Sequence, residues 1–139
     1  MLRDSKKQAP LPAIGMRAVR TRTIREEDIV DFAEVSGDHN PLHLDQHYAA
    51  QTPFGGRIAH GFLTASIISA ILGMELPGPG SIYLGQTLKF LAPVRAGDTV
   101  TVSVEVIALR EEKRIVTLRT DIVNQDGTIV LTGEATVKC

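Results

Sequence analysis

The chain has 139 residues, 43% hydrophobic and 22% charged, with 15 Lys and Arg against 16 Asp and Glu. That length fits one domain with a real core, and the near-zero net charge, the absence of Trp and the few aromatics exclude a basic nucleic-acid footprint or a base-stacking platform. The single cysteine, Cys139, cannot close an internal disulfide, and no apolar run reaches the roughly 18–20 residues that span a bilayer, so a cytoplasmic protein is expected.

The first 14 residues open with the basic, polar run MLRDSKKQAP and have no apolar segment behind it. They read as a flexible leader rather than a signal peptide, which leaves residues 15–139 as the domain. The alternation Met16-Arg17-Ala18-Val19-Arg20 predicts a first strand. Thr23 and Glu26 have the spacing of a capping box. Ile29, Phe32 and Ala33 follow at helical spacing, and Gly37 suits the helix C-terminus. Pro41 lacks an N–H and biases Asn40 away from helical geometry, so residues 38–45 are predicted as a loop. Asp45 can cap a short helix through Tyr48 and Ala50.

A second loop carries Pro53, Gly55 and Gly56, and Gly61 then opens a helix running roughly from Phe62 to Gly73. It is apolar almost all round, so it belongs in an interior. Ile82 to Phe90, Val100 to Val106, Arg114 to Val123 and Thr128 to Val137 predict four further strands, the last two joined by the turn Asn124-Gln125-Asp126-Gly127. The pattern is α+β: a curved antiparallel sheet of about five strands wrapped around a central apolar helix, the hotdog arrangement. One sheet and one helix leave an edge and a helix end uncovered, so a homodimer is expected.

The densest polar cluster is Ser36-Gly37-Asp38-His39-Asn40-Pro41-Leu42-His43. Taken singly, Asp38 reads as a solvated turn carboxylate and His43 as a surface or satisfied core histidine. Together they place a carboxylate, a rigid Asn40-Pro41 elbow and an imidazole within six residues, ahead of a helix led by glycine. Adding water to an activated double bond needs a base for the water proton and an acid for the alpha carbon, and such a pair holding one water can serve as both. The negative charge that builds on a thioester oxygen needs donors already in place. The first N–H groups of a helix are such donors, and Gly61 lets a carbonyl approach closely.

The run from Phe32 to Asp45, with Gly-Asp-x-Asn-Pro-Leu-His intact, resembles the type-2 hydratase motif of the MaoC-like dehydratases. Arg57-Ile-Ala-His-Gly61 resembles that family's helix-entry segment. Leu76 to Phe90 is similar to the segment after the central helix in the (R)-specific enoyl-CoA hydratases that feed polyhydroxyalkanoate synthesis. Pro93 to Asp98 and Gly133 to Lys138 also match, so the resemblance covers about residues 16–138. It implies reversible syn addition of water to a trans-2-enoyl-CoA, giving (R)-3-hydroxyacyl-CoA, with no organic cofactor and no metal. Asp38 and His43 would activate the water and the Gly61 amide would bind the thioester oxygen. Asn40 would fix the loop, Ser69 would place the histidine by hydrogen bonding, and Leu72 would line a short-chain acyl pocket. Arg57, Lys89 and Arg95 are candidates to face the CoA.

Three other readings stay open. His39, His43 and His47 are spaced four apart, with Asp38, Asp45 and His60 nearby, a pattern that could share a metal; Pro41 breaks the helical geometry between the first two. Hotdog folds also host acyl-CoA thioesterases. A non-catalytic acyl-CoA binding module is the third, although such a module would be expected to lose the acid or the histidine.

Overall fold

In the computed structural model, which describes residues 10–139, the Val-rich second half folds as predicted. Strands β1 (Arg17–Thr23), β4 (Thr99–Arg110), β5 (Ile115–Val123), β6 (Ile129–Lys138) and β2 (Ile82–Gln86) lie side by side in that order, and a short β3 (Lys89–Phe90) also pairs with β6. Every pairing is antiparallel. The period-2 pattern sends Val100, Val102, Val104 and Val106 inward, and they meet Val116, Leu118 and Ile122 of β5 on the same face. Against this face lies α4 (Gly61–Met74), which contributes Ile67, Ile68, Ile71 and Leu72 to the core.

One expected strand is two. Ile82 to Phe90 breaks at Thr87 and Leu88, which gives six strands instead of about five. A Cβ built on Gly133 of β6 would lie 1.8 Å from the Thr87 carbonyl oxygen, so the Thr87 backbone crosses directly over a glycine. The Thr87 N–H donates to Glu134 O at 2.9 Å across the same crossing.

Helix α1 (Glu26–Ser36) starts later than the Thr23 spacing predicts. Thr23 stays in β1, where its hydroxyl bonds that of Thr99 at 2.8 Å, so the cross-strand partner outcompetes the cap. The box forms instead between Arg25 and Asp28: the Arg25 N–H donates to Asp28 Oδ2 at 2.9 Å. Arg22 and Arg25 each donate to Asp28 Oδ1 at 2.8 Å. Gly37 ends the helix in left-handed geometry, φ 81°, with its N–H on Ala33 O, as predicted.

The first nine residues of the predicted leader lie outside the described residues. Of its remainder, Leu11 packs against the core and Pro12 is buried, so the folded part begins earlier than residue 15. Among the described residues, no helix is long and apolar enough to cross a membrane.

Candidate active site

The segment after Gly37 is built by short local bonds. Asn40 caps α2 (Pro41–Leu44), accepting from the Leu42 N–H at 3.0 Å, with Pro41 at the first helical position where a missing N–H costs nothing. The predicted loop therefore contains one helical turn, which carries His43. Asp45 then caps α3 (Gln46–Ala49) through the Tyr48 N–H, as predicted. The Asp38 carboxylate accepts from the Asn40 N–H at 3.2 Å, which folds it back over the elbow.

These bonds bring Asp38 and His43 together. His43 Nε2 lies 4.0 Å from Asp38 Oδ2; His43 is buried and Asp38 half-exposed. The gap is too long for a direct bond, and one water oxygen can sit at about 2.8 Å from both atoms. His43 Nδ1 is 2.8 Å from the Ile58 carbonyl oxygen. A carbonyl only accepts, so Nδ1 carries the proton and Nε2 presents a lone pair towards the carboxylate.

Gly61 is the first residue of α4, and its N–H has no partner inside the helix. It lines a cavity of about 520 Å³ together with Asp38 and His43. The other walls are mostly apolar, among them Phe32, Phe62, Phe90, Leu91 and Leu131. A Cβ on Gly61 would lie 2.6 Å from Phe90 Cε1, so only glycine allows the ring to close over the helix entry.

His60, which the sequence marks only as the neighbour of Gly61, is a member of this site. Its ring lies over His43 with centroids 3.9 Å apart and meets Phe32 at 4.9 Å in a tilted contact of 56°. Its Nε2 is 3.0 Å from the Asp38 carbonyl oxygen, so Nε2 donates. Burial holds its pKa below the ordinary value, with the nearby His43 and His39 acting in the same direction and the bond to Asp38 opposing them. Thr64, one turn further along α4, is buried on the same cavity. Only the short spacing from His60 to Thr64 could have flagged it.

Two expected members are not brought to the pair. Ser69 is exposed, and no hydrogen bond among the described residues joins it to His43, whose Nδ1 is taken by Ile58. Eight residues of helix separate it from Gly61, about 12 Å along the axis. Leu72 lies farther still and is buried in the core rather than on the cavity wall. The CoA-facing candidates divide likewise. Arg57 pairs with Glu26, and the Arg95 guanidinium donates to the carbonyls of Phe54 and Arg57, while Lys89 is exposed on β3.

The equally spaced histidines do not converge on a metal. His39 turns to Glu34 at 3.2 Å and His47 contacts Gln51. A different trio, Asp38, His43 and His60, offers donor atoms within 4.8 Å of one another. Both rings spend one nitrogen on a backbone carbonyl, which leaves each a single lone pair for any cation.

The fold and the paired carboxylate and imidazole at a glycine-led helix define a hotdog domain of the hydratase kind. A family model described as "MaoC like domain" matches residues 8–127, and the chain belongs to that family. A 3-hydroxybutyryl-CoA dehydratase of Methylorubrum extorquens is 52% identical over 125 residues, 90% of this chain and 79% of that protein. An (R)-specific enoyl-CoA hydratase of Aeromonas caviae is 51% identical, over 90% of this chain and 93% of that one. The solved structure of an (R)-hydratase from A. caviae involved in PHA biosynthesis superposes with a TM-score of 0.89 at 50% identity, covering 94% of this chain and 98% of that one.

Proposed function

We propose that the chain is an (R)-specific enoyl-CoA hydratase, with Asp38 and His43 as the catalytic pair and the Gly61 amide as the donor to the thioester oxygen. The observation that carries this is the 4.0 Å gap between His43 Nε2 and Asp38 Oδ2, open to the cavity that Gly61 also lines. A water held in that gap loses a proton to the pair as its oxygen bonds to C3 of a trans-2-enoyl thioester. Electron density moves to the thioester oxygen, where the Gly61 N–H meets it. The pair returns the proton to C2, so one water is consumed and the enzyme is unchanged. Both atoms arrive from the face on which the pair sits, which makes the addition syn.

The cavity volume of about 520 Å³ is in the range of small-molecule sites. Phe62, Phe90, Leu91 and Leu131 supply its apolar wall in place of Ser69 and Leu72. The relative named for 3-hydroxybutyryl-CoA supports a short acyl chain. The test is a series of trans-2-enoyl-CoAs from four carbons upward. Loss of the enoyl absorbance without free thiol, yielding the (R)-3-hydroxy product, supports the reading; thiol release without hydration replaces it with thioester hydrolysis.

The reading includes a homodimer in the cytoplasm. Ile82, Tyr83 and Leu84 of β2 are exposed at a sheet edge, and Phe62, Phe90 and Leu91 are exposed at the cavity rim. A second copy pairing along β2 would cover a strand edge and apolar area together. Sedimentation should give twice the monomer mass, and Leu84→Arg should shift it towards one copy.

A further inference from the structure

The hydratase reading uses Asp38, His43 and Gly61 and leaves a second buried imidazole at their centre without a task. His60 is 2% exposed. It immediately precedes Gly61, so its backbone leads directly into the proposed oxyanion donor. Its side chain reaches the Asp38 carbonyl at 3.0 Å. Its ring lies on His43 at 3.9 Å with a tilt of 31°. One residue thus touches all three partners, and its bond to Asp38 spans 22 positions of the chain.

We infer that His60 is a positioning residue of the proposed hydratase: its Nε2–H bond to the Asp38 backbone and its stack on His43 hold carboxylate, imidazole and Gly61 amide as one unit. Neither segment can do this alone. The Asp38 loop is exposed and tied by local turn bonds, while Gly61 is fixed by its helix. Without the link, the distance between the water-holding pair and the oxyanion donor is set only by the remaining contacts of the loop. A shift of about 1 Å in such a distance costs on the order of a hundredfold in rate.

The inference requires a neutral ring. A charged His60 would place a second cation against His43 at the moment His43 accepts a proton. Burial disfavours that charge, and the groups around the ring that bear on it are Asp38, His39 and His43. With Nε2–H given to Asp38, Nδ1 is the unprotonated nitrogen; it is buried and has no hydrogen-bond partner among the described residues.

The experiment compares wild type, His60→Phe and His60→Gln on crotonyl-CoA, with the thermal midpoint of each. Phe keeps an aromatic stack and lacks the donor; Gln offers an N–H near the place of imidazole Nε2. The expected result is a fall in kcat of at least about tenfold for H60F with KM within about twofold, and recovery of most of that loss by H60Q. H60F turning over like wild type, or H60Q falling as far as H60F, overturns the inference while leaving the hydratase reading intact. A wild type inactive on every enoyl-CoA overturns the hydratase reading itself, and this inference with it. If H60F does not fold, imidazole nitrogen NMR of the wild type at pH 7 decides. A neutral Nε2–H tautomer for His60 supports the inference, and an Nδ1–H tautomer or an imidazolium overturns it.

Discussion

Gly61→Ala separates the proposed oxyanion role from ordinary packing. The added methyl would lie 2.6 Å from Phe90 Cε1 and 2.9 Å from Cδ1. Carbon atoms rest at about 3.5–4.0 Å, so the ring must retreat by roughly 1 Å. Phe90 is 52% exposed, so it has room to do so. Full burial of a Phe side chain is worth about 1.5–3 kcal/mol, and a ring already half in solvent loses less than about 1 kcal/mol by moving. Alanine in place of glycine returns up to about 1 kcal/mol of helix propensity. The net change in stability should stay within about 1 kcal/mol, a shift in Tm of less than roughly 5 °C.

Turnover should respond differently. The methyl and the displaced ring both stand beside the cavity wall that holds the Gly61 N–H, and loss of one oxyanion donor costs about a hundredfold to a thousandfold in kcat. The assay is hydration of crotonyl-CoA beside a thermal melt. An alanine variant with kcat within about threefold of wild type would refute the reasoning that the approach to this amide needs a glycine. A melt lowered by more than about 10 °C would show that the packing argument is wrong.

The other expectations concern the catalytic pair, the strand crossing and the first helix cap. Asp38→Asn keeps the oxygen that accepts from Asn40 and should leave the melt unchanged, while hydration falls by about 10²–10⁴; His43→Ala should show a similar loss of rate. Gly133→Ala meets backbone rather than a movable side chain, so it should cost about 3 kcal/mol, read as a fall in Tm of roughly 10 °C. The Asp28 carboxyl is held below the usual carboxylate range by its bond from Arg25, helped by Arg22 and opposed by burial. A lowered folded pKa gives stability that is present above the unfolded value of about 3.9 and is lost as pH falls towards the folded one. Denaturant titrations should therefore show the wild type losing stability more steeply than Asp28→Asn below about pH 4; parallel curves would remove the ion pair from the account.

What the sequence made legible follows from the range of the interactions involved. The Val alternation of β4 and the turn at Asn124–Gly127 are short-range signals, and the structure forms both. Asp38 and His43 are five positions apart, and the proline elbow between them sets their separation by local bonds. That part of the site could be read directly. His60 could not, because its partners lie across the fold and nothing in the run Ala59-His60-Gly61 says that the ring turns back on Asp38 and His43.

The failures have the same origin. Thr23 has the right spacing for a cap but finds Thr99 across the sheet. Ser69 lies on the correct helix, yet two turns of rise carry it away from His43. The split of β2 from β3 depends on Thr87 crossing Gly133, a contact between segments 46 residues apart (133 less 87) that no local pattern encodes. Resemblance pointed to Asp38, His43 and Gly61, and the three do line one cavity. It also named Ser69 and Leu72, which lie two turns and more beyond Gly61 on the same helix and outside the lining of this cavity. The same rise that removes Ser69 brings Thr64, one turn beyond His60, onto the cavity wall.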